Sequence, residues 1–297
     1  MLISTLVVAG CTKEPVEQTE DFNNSEKHLS RVSSYSNISG DPGYSVENYT
    51  WQNDMLVKCV FSSDYYNQPI EYFFSYDGSN LVSIQNNKGD TFSFVYDNDR
   101  IVSMKINNGQ IIYYQYDLQG NVIGYRDTHY YGFKYYDYVE ESGSYSWIDG
   151  NCKSCNIIYY DTFVTTNEGE DSSYYHESLV IYQEYNRFFE YDNGKSIYEG
   201  FPLGFFLCPG LGNLVNNNGN NQIAETSTWF EKYYYYTEGV LDSTIERTVS
   251  RTISLSHTYD KGYVISTVAN ITGNDVNNAT KEVYYKYTDG SGLTQKR

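Results

Sequence analysis

The chain has 297 residues, 35 of them tyrosine, with 20 Lys+Arg against 38 Asp+Glu for a formal net charge of −18. It has no basic stripe to neutralise phosphates, which excludes nucleic acid as a partner, and self-repulsion of so acidic a surface predicts a monomer. Tyrosine fits pleated, half-buried surfaces whose hydroxyls stay wet, so the composition leans towards β structure.

The first element is "MLISTLVVAGCTKEP", an apolar run from Leu2 to Ala9 followed by Gly10 and Cys11. It is too short to span a bilayer and ends in small residues, which predicts an export signal over residues 1–10. Val8-Ala9-Gly10-Cys11 resembles the lipobox of bacterial lipoproteins, although no Lys or Arg precedes the apolar run. That resemblance implies cleavage before Cys11 and lipidation of its thiol. Several acyl chains on one residue would anchor the protein stably, so the membrane is expected as a partner only through the lipid. Residues 11–45, which include His28, are polar and lack apolar periodicity, the composition of a flexible tether. A single domain is expected over 46–297.

Within that domain "FSYDGSNLVSI" (74–84) returns as "FVYDNDRIVSM" (94–104) and "YQYDLQGNVIG" (114–124), so that Tyr76, Tyr96, Tyr116 and Tyr136 share one interval. Each unit alternates apolar and polar residues, turns, and alternates again, which predicts a β-hairpin. Asp97-Asn98-Asp99-Arg100 supplies one turn and Asn107-Asn108-Gly109 offers an Asn-Gly turn. Such spacing leaves no room for crossover helices, so successive hairpins form an antiparallel meander. The even period places Tyr72, Phe92 and Ile112, Phe74, Phe94 and Tyr114, and Tyr76, Tyr96 and Tyr116 on one greasy face, with Val82/Ile84 and Val102/Met104 between them. Ser75, Ser83, Ser103, Lys105 and the Tyr-Asp aspartates fall on the wet face. Those aspartates are expected to open turns by accepting backbone N–H groups. Looser copies place Trp51 in the Tyr76 position and carry Tyr191-Asp192 and Tyr259-Asp260. The Gly-, Pro- and Asn-rich stretch 201–222 predicts a long loop whose apolar half tucks over a sheet edge or barrel end. No helix is expected.

These units look like YD-repeats, the Tyr-Asp hairpin repeats of bacterial surface proteins. With the lipobox and tether, the chain resembles a group of Bacteroides-type surface lipoproteins carrying a domain of unknown function with a porin-like fold. The resemblance implies an all-β fold, an extended and strongly twisted antiparallel meander able to curl into a partly closed barrel. It supplies no catalytic residues. A true transmembrane barrel needs an apolar outer band about 25 Å tall, which the Ser-, Asp- and Lys-rich wet face does not provide.

Chemistry is sparsely marked. No HExxH, Gly-x-Ser-x-Gly or Ser-x-x-Lys occurs, so no catalytic residue, metal ligand or cofactor is selected. Cys152-Lys-Ser-Cys155 lacks the second Cys pair of a zinc site and the βαβ context of a redox motif. A local disulfide or two free thiols remain. Aromatics outside the repeat register are the better candidates to stack on a ligand: Trp147, Trp229, Tyr130 and Tyr131. "YYYY" at 233–236 must place rings on both faces of one strand. The expectation is an exported, lipid-anchored outer-membrane protein at the cell surface, a non-catalytic binding or scaffolding module with polysaccharide as leading ligand. A glycan hydrolase and a purely structural surface protein are the alternatives.

Overall fold

The computed structural model describes residues 28–37, 43–107, 109–132, 136–168, 174–198, 201–207, 219–275 and 278–288, without the side chains of 128–140 and 162–178. In chain order the strands are β1 (Leu29–Ser36), β2 (Tyr44–Gln52), β3 (Met55–Ser63), β4 (Ile70–Asp77), β5 (Asn80–Asn86), β6 (Thr91–Asp97), β7 (Arg100–Ile106) and β8 (Gln110–Tyr116). They continue with β9 (Val122–Gly132), β10 (Tyr136–Ile148), β11 (Asn151–Glu168) and β12 (Tyr174–Lys195). After helix α1 (Leu203–Leu207) come β13 (Asn220–Thr237), β14 (Val240–Asp260), β15 (Tyr263–Gly273) and β16 (Ala279–Tyr287). Each strand pairs antiparallel with its chain neighbours, and β1 pairs with both β2 and β16, so the meander closes completely into a sixteen-stranded barrel.

Two-residue turns set much of the register. Asn53-Asp54, Asn98-Asp99, Asp149-Gly150, Glu238-Gly239 and Lys261-Gly262 all take positive φ at both positions. That is the type I′ geometry whose twist matches the flanking strands. The Asn-Gly turn expected at 107–109 includes Asn108, which lies outside the described residues; around it Ile106 pairs with Gln110, and Asn107 has φ 50. The Asn107 side chain accepts the Thr91 N–H at 2.8 Å.

The face carrying Tyr72, Phe74, Ile84, Phe92, Phe94, Met104, Ile112 and Tyr114 is buried. The opposite face exposes Ser75, Ser93 and Lys105, together with Phe73, Val95 and Tyr113. In a closed barrel the buried face is the inside. Along β4 to β8 the order is therefore apolar within and largely polar without, the reverse of a lipid-facing barrel. The expected stripe needs one correction: Leu81 and Ile101 are buried, where Val82 and Val102 were expected. A β-bulge at Ser75/Tyr76 and another at Val95/Tyr96 insert Val82 and Val102 as extra residues, which re-aims the side chains beside them.

The same bulges explain the repeat. The hydroxyls of Tyr76, Tyr96 and Tyr116 donate to the carbonyls of Leu56, Leu81 and Ile101 at 2.8, 2.9 and 2.7 Å. Trp51 and Trp147 donate in the same way through Nε1 to Leu29 and Val122, and Tyr287 to Val264. Each aromatic thus ties its hairpin to the one before it, and the Tyr287–Leu29 and Trp51–Leu56 pairings carry the chain of bonds across the closure. Of the Tyr-Asp aspartates, Asp117 accepts the Asn121 N–H and Asp192 the Gly194 N–H, both at 2.8 Å.

Two parts of the chain depart from expectation. β1 lies inside the stretch read as tether, and His28 is buried, stacked on Trp51 at 4.2 Å and bonded to Asp54. The barrel domain therefore begins by residue 28, ahead of the expected boundary at 46. The 201–222 stretch contains the helix that was not expected. Phe201, Phe205 and Phe206 insert into the barrel as a plug, with Phe205 meeting Tyr49 at 6.2 Å and Phe74 at 6.4 Å. Gly204 makes this approach possible, because a Cβ there would lie 2.7 Å from Leu81 Cδ2. The apolar half of the loop does tuck into the barrel.

The wall is uneven. β11 to β14 have 18, 22, 18 and 21 residues, whereas β4 to β8 have 7 or 8. At about 3.4 Å per residue the tall side gains roughly 40 Å of strand.

Candidate functional site

Directly opposed residues in antiparallel strands share a face, so the registers give the inner surface of the tall wall as rows. One row reads Glu141, Tyr159, Gln183 and Glu231. The next reads Tyr125, Gly143, Ile157, Tyr185, Trp229 and Val249, and a third reads Tyr145, Cys155, Arg187, Ser227 and Arg251. Below them Phe189 faces Glu225. Between these rows lies an open cavity of about 690 Å³, lined among others by Tyr159, Gln183, Tyr185, Arg187, Trp229 and Glu231. That volume falls in the range of small-molecule sites.

Tyr185 and Trp229 stack at 6.2 Å with an interplanar angle of 26°, and Arg251 lies over the Trp229 ring at 5.2 Å. Polar groups surround this pair. Tyr185 donates to Gln183 Oε1 at 3.1 Å, Gln183 donates to Glu231 at 3.3 Å, and Tyr125 donates to Glu141. Arg187 holds Glu225 through two bonds, Nε at 2.9 Å and Nη2 at 2.8 Å. Burial opposes the charge on Arg187, but this fork keeps its pKa above the ordinary value. Arg251 Nη2 donates to Asp275 at 2.6 Å, while its Nε has no partner among the described residues. Gly143 is what admits the Tyr125 ring, since a Cβ there would stand 2.1 Å from Tyr125 Cε1. Burial and the neighbouring Glu141 push the Tyr125 hydroxyl pKa far up, so it stays a donor.

Of the residues singled out by sequence, Trp229 lies in this cavity. Trp147 does not: it fills a repeat position with Nε1 on the Val122 carbonyl and packs between two parts of the core. It escaped the 20-residue count because β9 and β10 are longer than the strands before them. Tyr130 and Tyr131 belong to β9, but their side chains lie outside the described residues, as does all of Cys11. Cys152 and Cys155 are buried free thiols, so the disulfide option is not realised. A bulge at Ser146/Trp147 makes Lys153 the extra residue and turns both thiols inward. Burial raises their pKa values to about 12 and about 11, which makes them inert packing groups. Tyr233 and Tyr235 continue the inward face above the cavity, while Tyr234 lies outward under Lys232, as the four-tyrosine run requires.

Nearer the plug a smaller cavity of about 200 Å³ is lined by Tyr198, His257, Lys281 and Tyr285 among others. His257 is fully engaged there, with Thr267 Oγ1 at 2.8 Å and the Gln222 carbonyl at 2.7 Å. On the same inner face Tyr49 donates to the half-buried Glu47, whose pKa is raised by desolvation. Among the described residues no cluster of His, Cys, Asp or Glu has the arrangement of a metal site. Tyr159, Gln183, Tyr185, Arg187, Glu225 and Glu231 were not picked out from sequence. For Gln183, Tyr185 and Arg187 the signal is the odd-numbered phase of "YQEYNRF", which becomes legible only once the inward face of β12 is known.

The geometry defines a class: a closed antiparallel barrel with a plugged apolar base and a wet, aromatic cavity on its tall side. No family model matches the chain, and no curated protein matches it.

Proposed function

We propose that the protein is a carbohydrate-binding module, exported and tethered to an outer membrane through lipid on Cys11. The observation that carries the binding reading is the Tyr185–Trp229 stack inside a cavity whose remaining lining is almost all hydrogen-bonding. Aromatic faces suit the C–H faces of sugars. Gln183, Glu231, Glu141 and Arg251 supply donors and acceptors for hydroxyls, the usual division between apolar contact and a few orienting polar groups. The cavity carboxylates are each held by a donor, Tyr125 on Glu141, Gln183 on Glu231 and Arg187 on Glu225. That arrangement fits recognition better than the hydrolase alternative, which needs one acid protonated and one base free. The polar groups on the outer face of β4 to β8, Ser75, Ser93 and Lys105 among them, support a domain standing in water on an anchor rather than a channel in the bilayer.

A glycan array with the full-length chain tests the binding reading. Trp229→Ala is expected to abolish the hits while Trp147→Phe retains them. No hit across plant and host glycans would refute it. For the anchor, Cys11→Ser is expected to release the protein from membranes, and continued membrane association would contradict the lipid assignment.

A further inference from the structure

We propose that the cavity and the wall above it hold an uncharged glycan chain several sugars long and reject acidic polysaccharides. This rests on the glycan reading and narrows it to a ligand class.

Charge gives the first half. Among the described residues both cations that line the cavity are already neutralised, Arg187 by the two-bond fork to Glu225 and Arg251 by Asp275 at 2.6 Å. Glu141 and Glu231 also line it and form no ion pair among the described residues. Arg247 stands opposite Glu231 in register, but it is exposed and does not pair with it. A ligand carboxylate or sulfate would therefore face two unbalanced acids in a partly desolvated site, within a chain of net charge −18. Uncharged hydroxyls meet the opposite situation. They donate to Glu141 and Glu231, which line the cavity.

The continuing face gives the second half. Above the cavity the inward surface of the tall wall carries Leu179, Ile181, Tyr233, Tyr235 and Ile245, in registers Ile181–Tyr233–Ile245 and Leu179–Tyr235. Tyr235 is 37% exposed and Ile245 53%. A ligand of one or two sugars would stay within the cavity and leave this aromatic and aliphatic track bare. A chain would run from Trp229 up the wall, each added unit covering more of it.

The test is calorimetric titration of the full-length chain with neutral gluco- and manno-oligosaccharides of two and six units, and with a six-unit oligogalacturonate. The neutral six-unit ligand is expected to bind at least tenfold tighter than the two-unit one, and oligogalacturonate at least tenfold weaker than its neutral counterpart. Tyr233→Ala/Tyr235→Ala is expected to reduce six-unit binding to the two-unit level without changing the latter. Glu141→Gln/Glu231→Gln is expected to improve oligogalacturonate binding. Equal affinity for short and long neutral chains, or preferential oligogalacturonate binding that Trp229→Ala removes, would overturn this inference and leave the glycan reading standing. Binding of neither kind would remove the glycan reading and the inference together.

Discussion

Tyr76, Tyr96 and Tyr116 show what the recurring Tyr-Asp pair accomplishes. Their rings pack against the interior and their hydroxyls satisfy carbonyls of Leu56, Leu81 and Ile101, which are 0–2% exposed. Losing the donor leaves such a carbonyl unsatisfied, at a cost of about 1–3 kcal/mol. Tyr76→Phe, Tyr96→Phe and Tyr116→Phe are each expected to lower unfolding free energy by that amount in denaturant titration. Tyr113→Phe, exposed on the outer wall, is expected to leave it unchanged. The inward placement of these rings was legible from the even period. The hydroxyl-to-carbonyl bonds were not, because they depend on bulges that a strict period-two reading does not contain. Glu47 makes a pH-dependent contribution. Burial raises its pKa in the fold above 4.5, so the stability it contributes is fully present below pH 4.5 and is lost as pH rises through the higher folded value. Glu47→Gln keeps an acceptor for Tyr49 and removes that titration. Melting temperature measured from pH 4 upward is expected to decline less in the variant than in the native chain. Parallel declines would place the titration elsewhere.

At the scale of elements, β1 and α1 were the two surprises, for different reasons. β1 aims Ser34 and Ser36 inward, opposite Val283 and Lys281, so its buried face lacks the apolar alternation that marks a strand. Closure, a non-local event, makes it a strand. α1 is short, and its apolar residues serve packing inside the barrel rather than an amphipathic pattern. The loop's apolar half, expected to tuck over a sheet edge or barrel end, packs inside the barrel. Removing β1 would expose the unpaired edges of both β2 and β16, a template for aggregation. A chain beginning at residue 28 is therefore expected to be soluble and cooperatively folded, whereas one beginning at residue 46 aggregates. A folded, monomeric 46–297 fragment by size-exclusion chromatography would show that closure is dispensable.

At the scale of the whole molecule, the sequence made the all-β hairpin meander legible, and with it the polar outer face. Complete closure was not legible, since it rests on the pairing of β1 with β16, nor was the cavity, which is built by five strands, β10 to β14, whose repeats are too long to align. Trp229 could be selected as a ring out of register, but its partners could not, because Tyr185 and Arg187 share an inward phase only after the register is set. The central claim is that ligand binds inside the barrel, on the tall wall, and not on its outer surface. A crystal structure of the protein grown with a neutral oligosaccharide tests this directly. Sugar rings are expected against Tyr185 and Trp229, within hydrogen-bonding reach of Gln183 and Glu231. Sugar bound only on the outer wall around Tyr113 and Asn156, with the cavity holding solvent alone, would contradict the account.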